Sequence, residues 1–294
     1  MTHTPINISF EFFPPRGDKS AANLWKAVGE LTPLSPKFAS VTYGAGGSEQ
    51  DGTDDTLDAI KSRFGLDVAG HLTCVDQTKG AVNAIAESWW DKGIKRIVAL
   101  RGDSRVEGGV YKPHPDGYEN AADLVAGLKR IADFDIAVAA YPEVHPDSKS
   151  ASADIDNLKR KLDAGANSAI TQYFFNADDF LRFRDRADAA GITQPIVAGI
   201  LPVVNIRSLK AFSARCGANV PDWLTHRFES LEPGSDIHNA TSVATAAGLC
   251  HRLRREGTQN FHLYTLNSSA LSIAVCKSLG INTPAKTNHL SEVA

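Results

Sequence analysis

Ala121–Tyr173 reads AADLVAGLKRIADFDIAVAAYPEVHPDSKSASADIDNLKRKLDAGANSAITQY, and this stretch decides the fold. Ala121, Leu124, Val125, Leu128 and Ile131 recur at helical spacing. Asp135–Tyr141 is then a short apolar run of strand length. A second helix carries Asn157, Arg160 and Lys161 and stops at Gly165, a residue suited to a helix C-terminus. Ser168–Tyr173 is the next strand. Strands separated by helices imply parallel pairing through right-handed crossovers.

The same unit repeats in both directions. Strands are expected at Asn7–Phe13, Lys37–Tyr43, Asp67–Cys74, Arg96–Leu100, Asp135–Tyr141, Ser168–Tyr173, Pro195–Gly199 and Asn260–Tyr264. Two more helical stripes lie between them: Ala22, Trp25, Val28 and Leu31, then Val82, Ile85, Ala86 and Trp89. Thr78, Asn176 and Asn267 are expected N-caps. Gly65, Gly93, Gly191 and Gly257, like Gly165, follow a helix and precede a strand. Eight strand–helix units predict an α/β protein built as a single (β/α)₈ TIM barrel. The rival doubly wound sheet usually has fewer strands, and Gly44-Ala-Gly-Gly-Ser-Glu49 is not its GxGxxG fingerprint. A long loop is expected at Ser104–Gly117, extra helix at Pro221–Glu256 before strand 8, and a polar tail over 281–294. No linker divides the chain, so residues 1–294 are expected to form one catalytic domain.

The 294 residues suffice for such a barrel and a large core. With 43% hydrophobic and 22% charged residues, gross disorder is not expected. A net charge of −3 gives no broad basic field for nucleic acid or anionic lipid. No apolar run suggests a membrane span. MTHTPINISFEFFPP does not read as a secretory signal. Cys74, Cys216, Cys250 and Cys276 are too scattered for a disulfide framework or a cysteine-rich zinc site. A cytoplasmic protein that binds small molecules, without nucleic acid or membrane partners, is expected.

Barrel active sites lie where the strands end, so polar residues at strand C-termini carry the chemistry. Six strands end this way: at Glu11, Thr42-Tyr43, His71, Arg101-Gly102-Asp103, Tyr141-Pro-Glu143-Val-His145 and Thr171-Gln172. Glu11, in Phe10-Glu-Phe-Phe-Pro-Pro15, is flanked by aromatics that would desolvate it and suit it to general-acid work. It could equally be a barrel-interior glutamate paired with an arginine. Arg101 and Asp103 are either a local ion pair or two charges presented to a ligand. Asn157, Arg160 and Lys161 share one side of a helix, either as a solvated face or to neutralise a phosphate. Phe212 reads as core. His71, Cys74, Glu143 and His145 invite a metal reading, although His71 and Cys74 face opposite sides of a strand.

Longer motifs resemble a known family. Ser9-Phe-Glu-Phe-Phe-Pro-Pro15, Ser40-Val-Thr-Tyr-Gly-Ala45, His71-Leu-Thr-Cys74, Ala99-Leu-Arg-Gly-Asp103, Ala140-Tyr-Pro-Glu-Val-His-Pro146, Ala164-Gly-Ala166, Ile170-Thr-Gln-Tyr-Phe-Phe175, Gly199-Ile-Leu-Pro202 and Phe261-His-Leu-Tyr-Thr-Leu-Asn267 are similar, in order, to those of 5,10-methylenetetrahydrofolate reductase. The resemblance covers almost the whole chain and points to the short bacterial form. It implies an FAD enzyme that takes hydride from NADH or NADPH. The hydride passes to 5,10-methylenetetrahydrofolate, giving 5-methyltetrahydrofolate for methionine synthesis and one-carbon metabolism. One pocket would serve both substrates in turn, a ping-pong cycle with electrons stored on the flavin, which explains the missing GxGxxG.

Position by position, Glu11 matches the general acid and Asp103 the catalytic aspartate beside flavin and pterin. Glu11, Thr42, Asp103, Gln172 and Phe212 would bind substrate. FAD would be held by Thr42, Tyr43, Ala45, His71, Arg101, Gly102, Asp103, Ala121, Tyr141, His145, Ser148, Asp154, Asn157, Arg160 and Lys161. No metal site and a homo-oligomer are expected. Asn120 replaces an aromatic near the adenine, Ser208 a folate-contacting glutamine, and Ser268 an arginine after Thr-Leu-Asn. Two other readings stay open: a metal-dependent hydrolase or lyase using His71, Glu143 and His145, and a binding subunit without turnover.

Overall fold

Parallel pairing of neighbouring strands continues until the last meets the first. A computed structural model describes residues 5–43, 52–103 and 111–282. Its eight strands are β1 (Asn7–Phe12), β2 (Ala39–Val41), β3 (Val68–Thr73), β4 (Arg96–Leu100), β5 (Asp135–Ala140), β6 (Ser168–Thr171), β7 (Ile196–Ile200) and β8 (Asn260–Tyr264). They close in sequence order. The seam pairs Asn7 with Asn260, Ser9 with His262 and Glu11 with Tyr264. Around the barrel lie α1 (Asp18–Leu31), α2 (Thr53–Phe64), α3 (Lys79–Asp91), α4 (Ala121–Ile131), α5 (Ala151–Asp163), α6 (Ala177–Ala189), α9 (Asp236–Arg255) and α10 (Ala270–Ser278). Helix α9 packs on α6 and α10. The inserted α7 (Ile206–Cys216) and α8 (Asp222–Phe228) sit on Tyr173 and Phe175 beyond β6.

Alternation along each strand divides the side chains between two compartments. Phe10, Phe12, Leu72, Ala99, Val138 and Phe261 face outward into the main core against the helices. The lumen is filled by small and branched residues, Ala69, Val98, Ala137 and Ile170, with Phe38, Leu100 and Val197 around them. Polar side chains occupy the lumen nearer the strand C-termini.

Several boundaries differ from the sequence expectation for local reasons. Strand β2 is shorter, so Thr42 and Tyr43 lie just beyond it. Strand β7 begins after Pro195, which has no N–H to donate to a ladder. Helix α1 buries Leu24, Ala27, Val28 and Leu31 rather than the Ala22–Trp25–Val28–Leu31 line. A strict three-residue step winds around a helix of about 3.6 residues per turn. Trp25 instead stacks near Phe64 under the Arg63 guanidinium.

Thr78 caps α3 by accepting the Ala81 N–H at 3.1 Å, and Gly65 ends α2 in the left-handed conformation. Asn176 and Asn267 do other work. Asn176 accepts the Trp223 indole N–H at 2.9 Å. Asn267, at φ 55°, accepts the Phe13 N–H at 2.9 Å and donates to the Phe13 carbonyl at 3.0 Å. It therefore pins the end of β1 instead of starting a helix. Residues 104–110 of the expected loop, Ala45, and the tail from 283 lie outside the described residues. Among the described residues no helix is long and apolar enough to cross a membrane.

Candidate active site

Glu11 lies on the lumen side of β1. Its flanking Phe10 and Phe12 point the other way, so the aromatic pocket expected around it does not form, a direct result of strand alternation. Among the described residues its charged neighbours are two imidazoles and no arginine: Glu11 Oε2 is 3.5 Å from His71 Nε2 and 3.6 Å from His262 Nε2. These are electrostatic contacts, too long to count as hydrogen bonds. Burial pushes His71 below the usual histidine range, with Glu11 opposing and His262 adding to the fall. The Glu11 backbone is held from β8, where Thr265 Oγ1 donates to the Glu11 carbonyl at 2.6 Å. Tyr264 closes the same wall by donating its hydroxyl to the Thr171 carbonyl at 2.7 Å. That placement needs a glycine on β7, because a Cβ at Gly199 would lie 2.2 Å from the Thr171 oxygen and 2.8 Å from the Tyr264 ring.

A second group gathers where β4 and β5 end. Arg101 pairs with Asp147 at 2.8 Å and only distantly with Asp103 at 4.0 Å. The local Arg101–Asp103 pair is therefore weak, and Asp103 stands 73% exposed. Between them Gly102 takes φ 84°, and a Cβ there would strike Val75 at 2.4 Å. Asp154, on α5, accepts the His145 backbone N–H at 3.2 Å and the Ser148 hydroxyl at 2.9 Å. Tyr141 meets His145 edge-on at 4.5 Å. Between them Val144 holds φ 78°, a left-handed geometry that costs a β-branched residue about 1–3 kcal/mol and marks a loop fixed by its surroundings. Burial and then Arg101 depress His145, while the hydrogen bond from Arg101 depresses Asp147. Lys161 is 6% exposed, donates to the Ala139 carbonyl at 2.5 Å and is lowered by burial to about 8.

The third group is aromatic. Tyr173 lies parallel to Phe212 at 6.1 Å and edge-on to Tyr264 at 6.1 Å. Phe212 is 44% exposed, which removes it from the core. All three groups gather where the strands end: a carboxyl on β1, charges after β4 and β5, and beside these an aromatic face after β6 and on β8.

The Methylenetetrahydrofolate reductase family matches residues 1–280. The chain belongs to this family. It is therefore an oxidoreductase of folate metabolism that acts on methylenetetrahydrofolate. A 5,10-methylenetetrahydrofolate reductase of Pectobacterium carotovorum subsp. carotovorum is 50% identical over 276 residues, covering 94% of this chain and 91% of that protein. The Escherichia coli protein of the same name is 48% identical with the same coverage. Methylenetetrahydrofolate reductase (NADH) 1 of Arabidopsis thaliana is 32% identical over 96% of this chain but only 49% of the plant protein. A solved Clostridium thermocellum protein, which binds two copies of 5-methyl-5,6,7,8-tetrahydrofolic acid, shares the fold. It has a TM-score of 0.65 at 13% identity, over 94% of this chain and 96% of that one.

Within this reductase family member, the structure brings Glu11 and His71 together, and separately links Arg101, Gly102, Tyr141, His145, Ser148 and Asp154. Thr42 and Tyr43 are buried at the β2 end, Thr42 donating its N–H to the Phe12 carbonyl. Gln172 folds its side-chain oxygen back onto the Tyr173 N–H at 3.0 Å. Asn157 and Arg160 bond each other at 2.9 Å on the outer side of α5, whereas Lys161 turns inward. Ala121 opens α4, and Asn120 caps that helix by accepting the Ala122 and Asp123 N–H groups. Ser208 and Ser268 are exposed. The metal alternative separates: Glu143 accepts the Asn219 N–H at 2.8 Å, away from His71 beside Glu11. Among the described residues, no three or more His, Cys, Asp or Glu side chains could hold a metal.

His262 and Tyr264 also belong to the site, although neither is among the residues expected from the strand ends. The signal was present: strand alternation in Asn260-Phe-His-Leu-Tyr264 puts both on the lumen face, and the seam sets them opposite Ser9 and Glu11.

Proposed function

We propose that this chain reduces 5,10-methylenetetrahydrofolate to 5-methyltetrahydrofolate with hydride from NADH or NADPH, through bound FAD, in a ping-pong cycle. It would act as a cytoplasmic enzyme supplying methyl groups for methionine. The observation that carries the reading is Glu11, a carboxyl 13% exposed on the lumen side of β1 and faced by two imidazoles.

The residues fit an FAD. The buried Lys161 cation suits a phosphate, and Arg160, now bonded to Asn157 on the outer side of α5, would have to turn inward to join it. The Arg101-Gly102-Asp103 turn, Thr42, Tyr43 and His71 would line the flavin. Tyr141, His145, Ser148, Asp154 and Ala121 would hold the rest. Bound there, FAD supplies hydride transfer chemistry that no side chain offers.

The chain's own residues then position substrate and move one proton. Glu11 gives its carboxyl proton to the bridging nitrogen of the imidazolidine ring. The bond from that nitrogen to the methylene carbon breaks, leaving an iminium on the folate that accepts hydride to become the methyl group. Asp103 at the rim sets a negative charge beside the cationic centre. Gln172 can turn its amide outward to a substrate, and Phe212 offers each substrate the same flat face. Purified protein should be yellow, release FAD on denaturation and oxidise NADH or NADPH only with an acceptor such as methylenetetrahydrofolate. Colourless protein that binds no added FAD overturns the reading.

A further inference from the structure

His262 lies in the barrel lumen with no solvent exposure. An imidazole buried there costs several kcal/mol unless its nitrogens are satisfied, and a residue serving only as filler would be apolar. Both nitrogens of His262 have oxygen neighbours. Ser9 Oγ lies 2.6 Å from Nδ1, while Ser40 Oγ at 3.4 Å and Glu11 Oε2 at 3.6 Å lie near Nε2. The ring is held flat on Phe38 at 5.8 Å and edge-on to Tyr264 at 5.4 Å. The titratable groups facing it are Glu11 from β1, His71 from β3 and Tyr264 from its own strand. Strands β2 and β7 present Ser40 and Gly199.

We propose that His262 is the positioning residue for Glu11: Ser9 takes its Nδ1–H, leaving the Nε2 lone pair to accept from the Glu11 carboxyl. The inference rests on Glu11 being the proton donor proposed above. A serine hydroxyl can accept this bond as readily as donate one, and the short Ser9 contact fixes the ring angle that aims Nε2 at Glu11. His71 approaches the same oxygen from the other side, and burial keeps it from becoming a competing cation. In this arrangement the acid form of Glu11 has an acceptor and its ionised form has no donor in His262. His262 thereby holds the Glu11 carboxyl in the orientation from which it delivers its proton.

Asn overlays Nδ1 and keeps the Ser9 contact without an atom facing Glu11, whereas Gln places an amide near Nε2. His262→Asn should move the alkaline limb of folate reduction at least one pH unit lower, about tenfold in rate on that limb. Reduction of the flavin by NADH should stay within twofold, and His262→Gln should restore much of the loss. Nitrogen-15 NMR of histidine-labelled enzyme gives a second readout, independent of turnover. It should show His262 neutral with its hydrogen on Nδ1, and Glu11→Gln should perturb that resonance. An unchanged pH profile in a folded, flavin-retaining His262→Asn, or an Nε2-protonated or cationic His262, overturns the proposal. Wild-type enzyme that reduces no methylenetetrahydrofolate would instead overturn the proposed function, and the NMR result would still judge His262.

Discussion

Lys161 carries a cation in a place that, without a bound anion, opposes folding. It is 6% exposed, and burial lowers it from 10.5 to about 8. That drop corresponds to about 3 kcal/mol. The folded pKa lies below the unfolded one, so the unfolded chain binds the extra proton. The cost is fully present below pH 8 and disappears as pH rises through 10.5. Lys161→Met keeps the shape and removes the charge, but also removes the hydrogen bond to the Ala139 carbonyl, worth about 1 kcal/mol. FAD-free Lys161→Met should therefore be about 2 kcal/mol more stable than wild type at pH 7, with the gap nearly closed at pH 9.5. Urea unfolding of both proteins, stripped of FAD, at the two pH values measures this. Saturating FAD should close or reverse this gap at pH 7, since a charge-assisted phosphate contact contributes about 1.5–3 kcal/mol. A variant less stable than wild type without FAD at pH 7, or a gap equal at both pH values, would refute the reasoning.

Glu11→Gln keeps size and hydrogen bonding but delivers no proton. Stopped flow should show near-normal flavin bleaching by NADH and reoxidation by methylenetetrahydrofolate slowed about 10²–10⁴-fold; equal losses in both would reassign Glu11 to shaping the pocket. Phe212→Ala, at a 44% exposed position, should change stability by no more than about 0.5 kcal/mol. Steady-state kinetics should show a raised KM for both NADH and the folate, and a large stability loss with unchanged kinetics would return Phe212 to the core. Gly199→Ala drives a methyl into the Thr171 carbonyl and the Tyr264 ring and should cost about 1–3 kcal/mol by urea titration. A variant of wild-type stability would mean that the wall yields there.

The barrel was legible because strand and helix periodicities alternate eight times, and every predicted strand overlaps an observed one. What escaped depended on distant parts of the chain. The environment of Glu11 could not be read from Phe10 and Phe12, since the side chains around it come from β3 and β8. Asn267 has the composition of a cap, but its real partner, Phe13, is 254 residues away. Phe212 looks apolar in its own helix, and only the placement of α7 against Tyr173 exposes it. Lys161 and Arg160 are neighbours in sequence, yet one bonds inward to β5 and the other outward to Asn157.

The β1–β8 seam has a consequence for how the protein is born. Ser9 and His262, which touch at 2.6 Å, are 253 residues apart. At about 5–20 residues per second, translation separates their emergence by roughly 13–50 s. During that interval β1 has one of its two neighbours, and the polar lumen around Glu11 lacks the wall that encloses it. Contacts of such long range also slow folding. Nascent chains stalled before Asn260 should therefore be the species most dependent on chaperones, and the chemistry of the floor would be the last property the enzyme acquires.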